Sequence, residues 1–147
     1  MRIQPIMTGI ITLIESDALA YEIVGNAIFE EGERELQVPS ITWMLIDEVP
    51  EGEVFHALDI QFDPFTRSKA SLLMLQNRLH ALLHKDVDWH LPASGGFSSG
   101  FSAGFSNQEN IRIRSQFVGS RGTRTAGGIW GGPMDFRFTA VRSRYSS

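Results

Sequence analysis

His80 and His84 stand four residues apart, a spacing that on a helix places two imidazoles on one face where they could share a metal ion. No carboxylate lies one turn away to complete a ligand set. His84, Asp86, Asp88 and His90 alternate further on, which reads as a polar helix face running into a surface loop. Gly96-Phe97-Ser98-Ser99-Gly100 has the letters of a serine nucleophile elbow, but an elbow needs a strand before it and a helix after it, and this segment sits in a glycine–serine tract. The glycine-rich span 119–132 lacks the Lys-Ser/Thr ending of a phosphate loop. Acids cluster as Glu30, Glu31, Glu33 and Glu35, and again as Glu48, Glu51 and Glu53, which is how solvated faces look rather than an acid–base pair in a pocket. With no cysteine, the chain has no disulfide, no thiolate metal site and no cysteine nucleophile. These residues lead us to expect a protein that is not an enzyme, with no catalytic residue, cofactor or metal.

The charges carry more information. A formal net charge of −4 conceals an acidic body and a basic end. Residues 1–110 hold 16 Asp and Glu against 6 Lys and Arg; residues 111–147 hold 7 Arg, no Lys and a single acid, Asp135. Arg112, Arg114, Arg121, Arg124, Arg137, Arg142 and Arg144 have the chemistry to contact phosphates, yet a net negative chain repels nucleic acid at long range. Arg112 and Arg114 share the polar phase of one alternating segment, Arg137 that of another, and Asp59 and Asp63 that of a third. Where such faces meet, within a chain or between subunits, arginine–carboxylate pairs form across strands. Arg112, Arg114, Arg137, Asp59 and Asp63 are therefore the candidate subunit-interface residues.

The elements that must position these groups follow from hydrophobic periodicity. At 147 residues and 42% apolar, the chain is sized for one domain spanning 1–147. No apolar run approaches the roughly 18–20 residues of a membrane helix. The start imitates a signal peptide, with Arg2, an apolar stretch over Ile6–Ile14 and then Ala18-Leu19-Ala20, but Glu15 and Asp17 precede the would-be cleavage site, so no leader is expected. Ile3, Ile6, Met7, Ile10, Ile11 and Ile14 predict an amphipathic helix, and Asp17 caps a short second helix over Ala18–Val24. Ala27–Glu31 reads as extended. Ile41–Asp47 and Val54–Phe62 read as an antiparallel hairpin, broken at Asp63-Pro64. Leu72, Leu75, Leu79, Leu82 and Leu83 stripe a helix running to about Lys85. Ile111–Phe117 and Met134–Ala140 alternate as two further strands, joined by a mobile connection over 119–133. The expected fold is α+β: a mainly antiparallel sheet of about four to five strands packed on two helices, with long glycine-rich loops. An insertion over about 92–108 repeats Gly-Phe-Ser three times and carries Phe97, Phe101 and Phe105, a candidate assembly loop, because an ordinary linker carries no phenylalanine.

The order of segments resembles a known family. Ile10–Ile14, Asp17-Ala-Leu-Ala-Tyr-Glu-Ile-Val-Gly25-Asn-Ala-Ile28-Phe29, Val38-Pro39-Ser-Ile-Thr-Trp43, Leu58-Asp-Ile-Gln-Phe62-Asp63, the helix over Arg67–Lys85 and Asp135-Phe-Arg-Phe-Thr-Ala-Val-Arg142 look like the tail-completion, or tail-terminator, proteins of long-tailed bacteriophages. The resemblance covers about residues 6–85 and 109–145 and omits the Gly-Phe-Ser insertion. It implies a small α+β virion subunit forming a homohexameric ring at the head-proximal end of the tail tube. Its partners would be further copies of itself, the tail tube protein and the head–tail connector, with DNA only as cargo through the channel and no membrane. It implies assembly in the host cytoplasm and residence in the virion tail near the neck, and it carries no catalytic residues. A head-completion, connector or tail tube subunit is the alternative within the class. A small ligand-binding or metal-dependent enzyme domain using His56, His80, His84 or His90 is the alternative outside it, as is a nucleic-acid binder acting through the arginines.

Overall fold

The computed structural model describes residues 3–50, 55–85, 89–90 and 110–143. Helix α1 (Ile3–Glu15) turns Ile6, Met7, Ile10 and Ile14 fully inward, as their three- and four-residue spacing requires. Helix α2 (Ala18–Val24) begins where the Asp17 carboxylate accepts the Ala20 N–H at 3.0 Å and ends at Gly25, whose φ of 60° a side chain would resist. Strand β1 (Ile28–Glu30) runs parallel to β2 (Ser40–Pro50), which pairs antiparallel with β3 (Phe55–Thr66). Ser68 caps α3 (Lys69–Leu83) by accepting the Ser71 N–H at 3.1 Å. Then come β4 (Trp89–His90), β5 (Asn110–Ser120), β6 (Arg124–Ala126), β7 (Ile129–Gly131) and β8 (Met134–Ser143). The sheet order is β1-β2-β3-β8-β5-β4, with β7 continuing beside the end of β3 and β6 pairing with β7.

The α+β expectation holds, and the four long strands β2, β3, β5 and β8 are those that alternate in the sequence. The sheet is wider than four or five strands because the short strands β1, β4, β6 and β7 extend it to eight. All the long strands place their apolar phase under the helices. Leu58, Ile60 and Phe62 of β3 and Phe136, Phe138 and Ala140 of β8 are fully buried against Leu75, Leu79 and Leu83 of α3 and the α1 isoleucines. Phe62 meets Phe136 edge-on at 5.9 Å between ring centres, and Phe136 meets Phe117 at 5.5 Å, a geometry that adds specificity to area burial.

Two expectations are corrected. Asp63-Pro64 does not end the strand. Ile41, opposite Pro64, gives its N–H to Ala27 on the β1 side, so the two face each other as a pair without mutual hydrogen bonds. The ring nitrogen of Pro64 therefore points to the other neighbour. There β8 pairing ends at Phe62–Met134 and β7 pairing begins at Phe65–Gly131, so the missing N–H falls in the gap between two partners. The 119–133 span is not a mobile connection but contains the β6–β7 hairpin. Gly127 and Gly128, at φ 60° and 80°, form its two-residue turn, whose twist matches the flanking strands.

The Asp17 cap is also an anchor between helices. Arg78 of α3 donates to both of its oxygens, at 3.1 Å from Nε and 2.6 Å from Nη2, and the Asp17 side chain is only 11% exposed. These hydrogen bonds to Arg78, the largest cause, lower the Asp17 carboxyl below its ordinary value of 3.8 against the opposing effect of burial. A lowered carboxyl stabilises the fold above its ordinary value and loses that contribution as pH falls through the lowered one. Asp17→Ala should thus cost about 1–2 kcal/mol at neutral pH, through the lost cap, and thermal melts should show the gap to the parent protein narrowing below pH 4. Equal losses at pH 7 and pH 2.5 would contradict this role.

Candidate assembly interface

The sheet face opposite the helices carries the polar phase of every long strand. Asp59 of β3, Arg137 of β8 and Gln116 of β5 lie in one row across three strands. Arg137 grips Asp59 with both nitrogens, Nε to Oδ1 at 2.8 Å and Nη2 to Oδ2 at 3.1 Å. One row along, Asp135 accepts from Gln61 at 3.1 Å and from Arg121 at 3.0 Å. At the end of β3, Arg124 of the hairpin reaches Asp63 at 2.8 Å. Arginine–carboxylate pairing across strands is thus present within one chain.

Of the five candidate interface residues, the structure pairs Arg137 with Asp59, while Asp63 pairs with Arg124 rather than with any of the other four. Arg112 and Arg114 are exposed two residues apart on β5, because Ile113 and Ser115 between and beyond them turn inward. Phe97, Phe101 and Phe105 lie outside the described residues. The outer-face charges divide along the strand order. Glu31, Glu33 and Glu35 after β1, with Asp47 on β2, are exposed at one edge, where Glu30 and Glu48 add charge on the helix-side phase opposite Trp43 and Leu58; Arg112, Arg114 and Arg121 are exposed towards the other edge.

That second edge is covered. β4 pairs with Arg112 and Ile113, the Lys85 N–H donates to the Ser115 carbonyl at 3.0 Å, and the Phe117 N–H donates to Nδ1 of His84 at 3.0 Å. The histidine pair therefore has a packing role: His80 and His84 stack at 5.0 Å, and His80 meets the Phe117 ring at 5.1 Å. Among the described residues no three His, Asp or Glu side chains are grouped to hold a metal ion, and no helix is long and apolar enough to cross a membrane. His90 contributes its backbone to β4 and His56 to β3, in separate parts of the sheet.

Asp63 is the site residue whose environment the alternation did not announce. Its position on the polar phase predicts exposure, yet it is 4% exposed and its Oδ1 has no hydrogen-bond partner. Burial away from water raises its carboxyl above the ordinary 3.8, Glu31 adds repulsion, and Arg124 offsets this only in part. Arg124 was missed because it lies among glycines with no strand pattern of its own.

No family model matches the chain, and no curated protein does. Among solved structures it is similar to a chain of the virion of a native gene transfer agent particle, with a TM-score of 0.58 at 13% identity over 90% of each chain. At that identity the likeness is one of fold.

The buried carboxylate gives a signed prediction. A raised carboxyl lowers stability as pH rises from its ordinary value through its folded one, because the native state then holds the proton more tightly than the unfolded chain. Asp63→Asn keeps an acceptor for Arg124 and removes that cost. Denaturant titrations should find it at least as stable as the parent at pH 8 and relatively less favoured at pH 3. A variant destabilised more at pH 8 than at pH 3 would overturn this account. The likeness to a chain from a gene transfer agent virion shows that this α+β arrangement is one used in such a particle.

Proposed function

We propose that this chain is a structural protein of a phage-like particle and, within that class, a tail terminator. It forms a homo-oligomeric ring, hexameric in the family it resembles, at the head-proximal end of the tail tube, stops tube polymerisation and joins the tail to the head connector. The observation that carries the reading is the fold shared over 90% of both chains with a component of a gene transfer agent virion. The charge division across the outer sheet face supports ring assembly, because a head-to-tail interface joins two unlike edges of the same subunit. The acidic β1–β2 side and the arginine-bearing β5 side of successive copies are complementary. The work of such a protein is positional, and we assign it no catalysis.

Electron microscopy of particles, together with the mass of the purified protein in solution, tests the reading. A ring at the junction of tail and head is expected. Density in the head connector or along the tube would reassign the chain within the class, and absence from particles would sink the proposal. Arg112→Glu with Arg114→Glu should block ring formation while leaving the monomer's thermal transition within a few degrees of the parent. Unimpaired rings from that double variant would remove these arginines from the interface.

A further inference from the structure

A cleft of about 210 Å³ opens on the outer sheet face at the corner of β1, β2 and β3, lined by Phe29, Leu36, Thr42 and Phe65, with Glu31 and Arg34 at its rim. Its lining is mainly apolar. The Arg34 guanidinium lies 4.6 Å from the centre of the Phe29 ring, and that of Arg124 lies 5.7 Å from the Phe65 ring. Phe65 is backed by Gly131, where even a methyl group would come within 3.0 Å of the ring, so it has little room to retreat. Leu36, 48% exposed, forms part of the wall. An apolar cavity of about 150 Å³ already takes up benzene, so this one has room for a benzyl group. Such a group would gain ring-to-ring contact with Phe29 or Phe65 and a guanidinium against its face. Rim charges of both signs favour neither a cationic nor an anionic occupant.

We propose that this cleft receives a phenylalanine from the Gly-Phe-Ser repeat of a neighbouring copy of the same chain, which rests on the ring assembly proposed above. The repeat offers Phe97, Phe101 and Phe105 in a stretch with no charged residue from Leu91 to Gln108. The same chain cannot readily supply it. The insertion leaves from His90 and returns at Asn110, at the opposite end of the strands from Thr42. About ten residues of strand and three strand spacings separate Asn110 from Thr42, or about 36 Å. Phe101, nine residues from Asn110, has about 32 Å of backbone when fully taut, so its ring would reach the cleft only with the whole segment stretched straight. A head-to-tail neighbour brings its own loop to the cleft without that restriction, and three evenly spaced rings give three chances of engagement.

The absence of cysteine makes the test clean. Full-length Leu36→Cys and Phe101→Cys proteins are mixed, assembled and oxidised, and the double variant is oxidised as a dilute monomer. Disulfide-linked pairs between the two single variants are expected, with no loop closure in the dilute double variant. Phe97→Ser with Phe101→Ser and Phe105→Ser should keep the parent's melting transition and raise the concentration needed for assembly at least about tenfold, as loss of a buried aromatic anchor does. Closure within one chain would overturn the proposal. So would an assembled mixture of the Leu36→Cys and Phe101→Cys proteins that yields no cross-link while the triple serine variant assembles normally, and that result would leave the ring reading standing. Linkage of Leu36→Cys to a different virion protein would also overturn it. A parent protein that never assembles and is absent from particles would instead defeat the ring reading, and this inference with it.

Discussion

The register between β3 and β8 governs the rest of the molecule. Side chains alternate between the two faces of a strand, so a one-residue slip of β8 along β3 would send Phe136 and Phe138 into water and drive Arg137 beneath the helices, away from Asp59. Each face enforces the same alignment for a different reason. Below, the phenylalanines interlock edge-on with one another and with the α3 leucines. Above, Arg137 closes both oxygens of Asp59 across the same pair of strands. That surface pair contributes little energy by itself, since Arg137 is half exposed, but it is geometrically selective. The positions of β2, β5 and the helices follow once this central pair is aligned.

The fold was legible wherever one physical signal dominated. The isoleucines of α1, the leucines of α3 and the alternating β8 sequence each bury a single face, and burial of apolar area fixed them. The strand was misread at Asp63-Pro64 because a proline's effect depends on which neighbour its nitrogen faces, and that is settled by β1, β7 and β8 together. The β6–β7 hairpin was concealed by composition: six glycines in a short span resemble a linker, although Gly127-Gly128 between Ala126 and Ile129 is a two-residue turn signal.

The site was less legible than the fold. Pairing of arginines with aspartates could be anticipated from phase alone, and Arg137 with Asp59 is such a pair. The partner of Asp63 could not, because Arg124 arrives from a segment 61 residues away. The cleft is harder still. Phe29, Leu36 and Phe65 belong to three separate stretches, and no local pattern links them until β1, β2 and β3 lie side by side.

The irregularity in β2 between Leu45 and Asp47 limits what can add to that edge of the sheet. β1 accompanies β2 only over Ile41–Trp43, and among the described residues no strand lies against the remainder of that side. Ile46 is the extra residue there, 43% exposed, and Asp47 and Glu48 follow it. A kinked rim bearing two carboxylates is a poor template for another strand. Copies that meet along this rim must do so through side chains, which fix an angle between neighbours, rather than through a continuing ladder of amides. Under the ring assembly proposed above, such an angle closes only when successive rotations sum to a full turn without a rise; the same kind of contact with any rise winds an open helix.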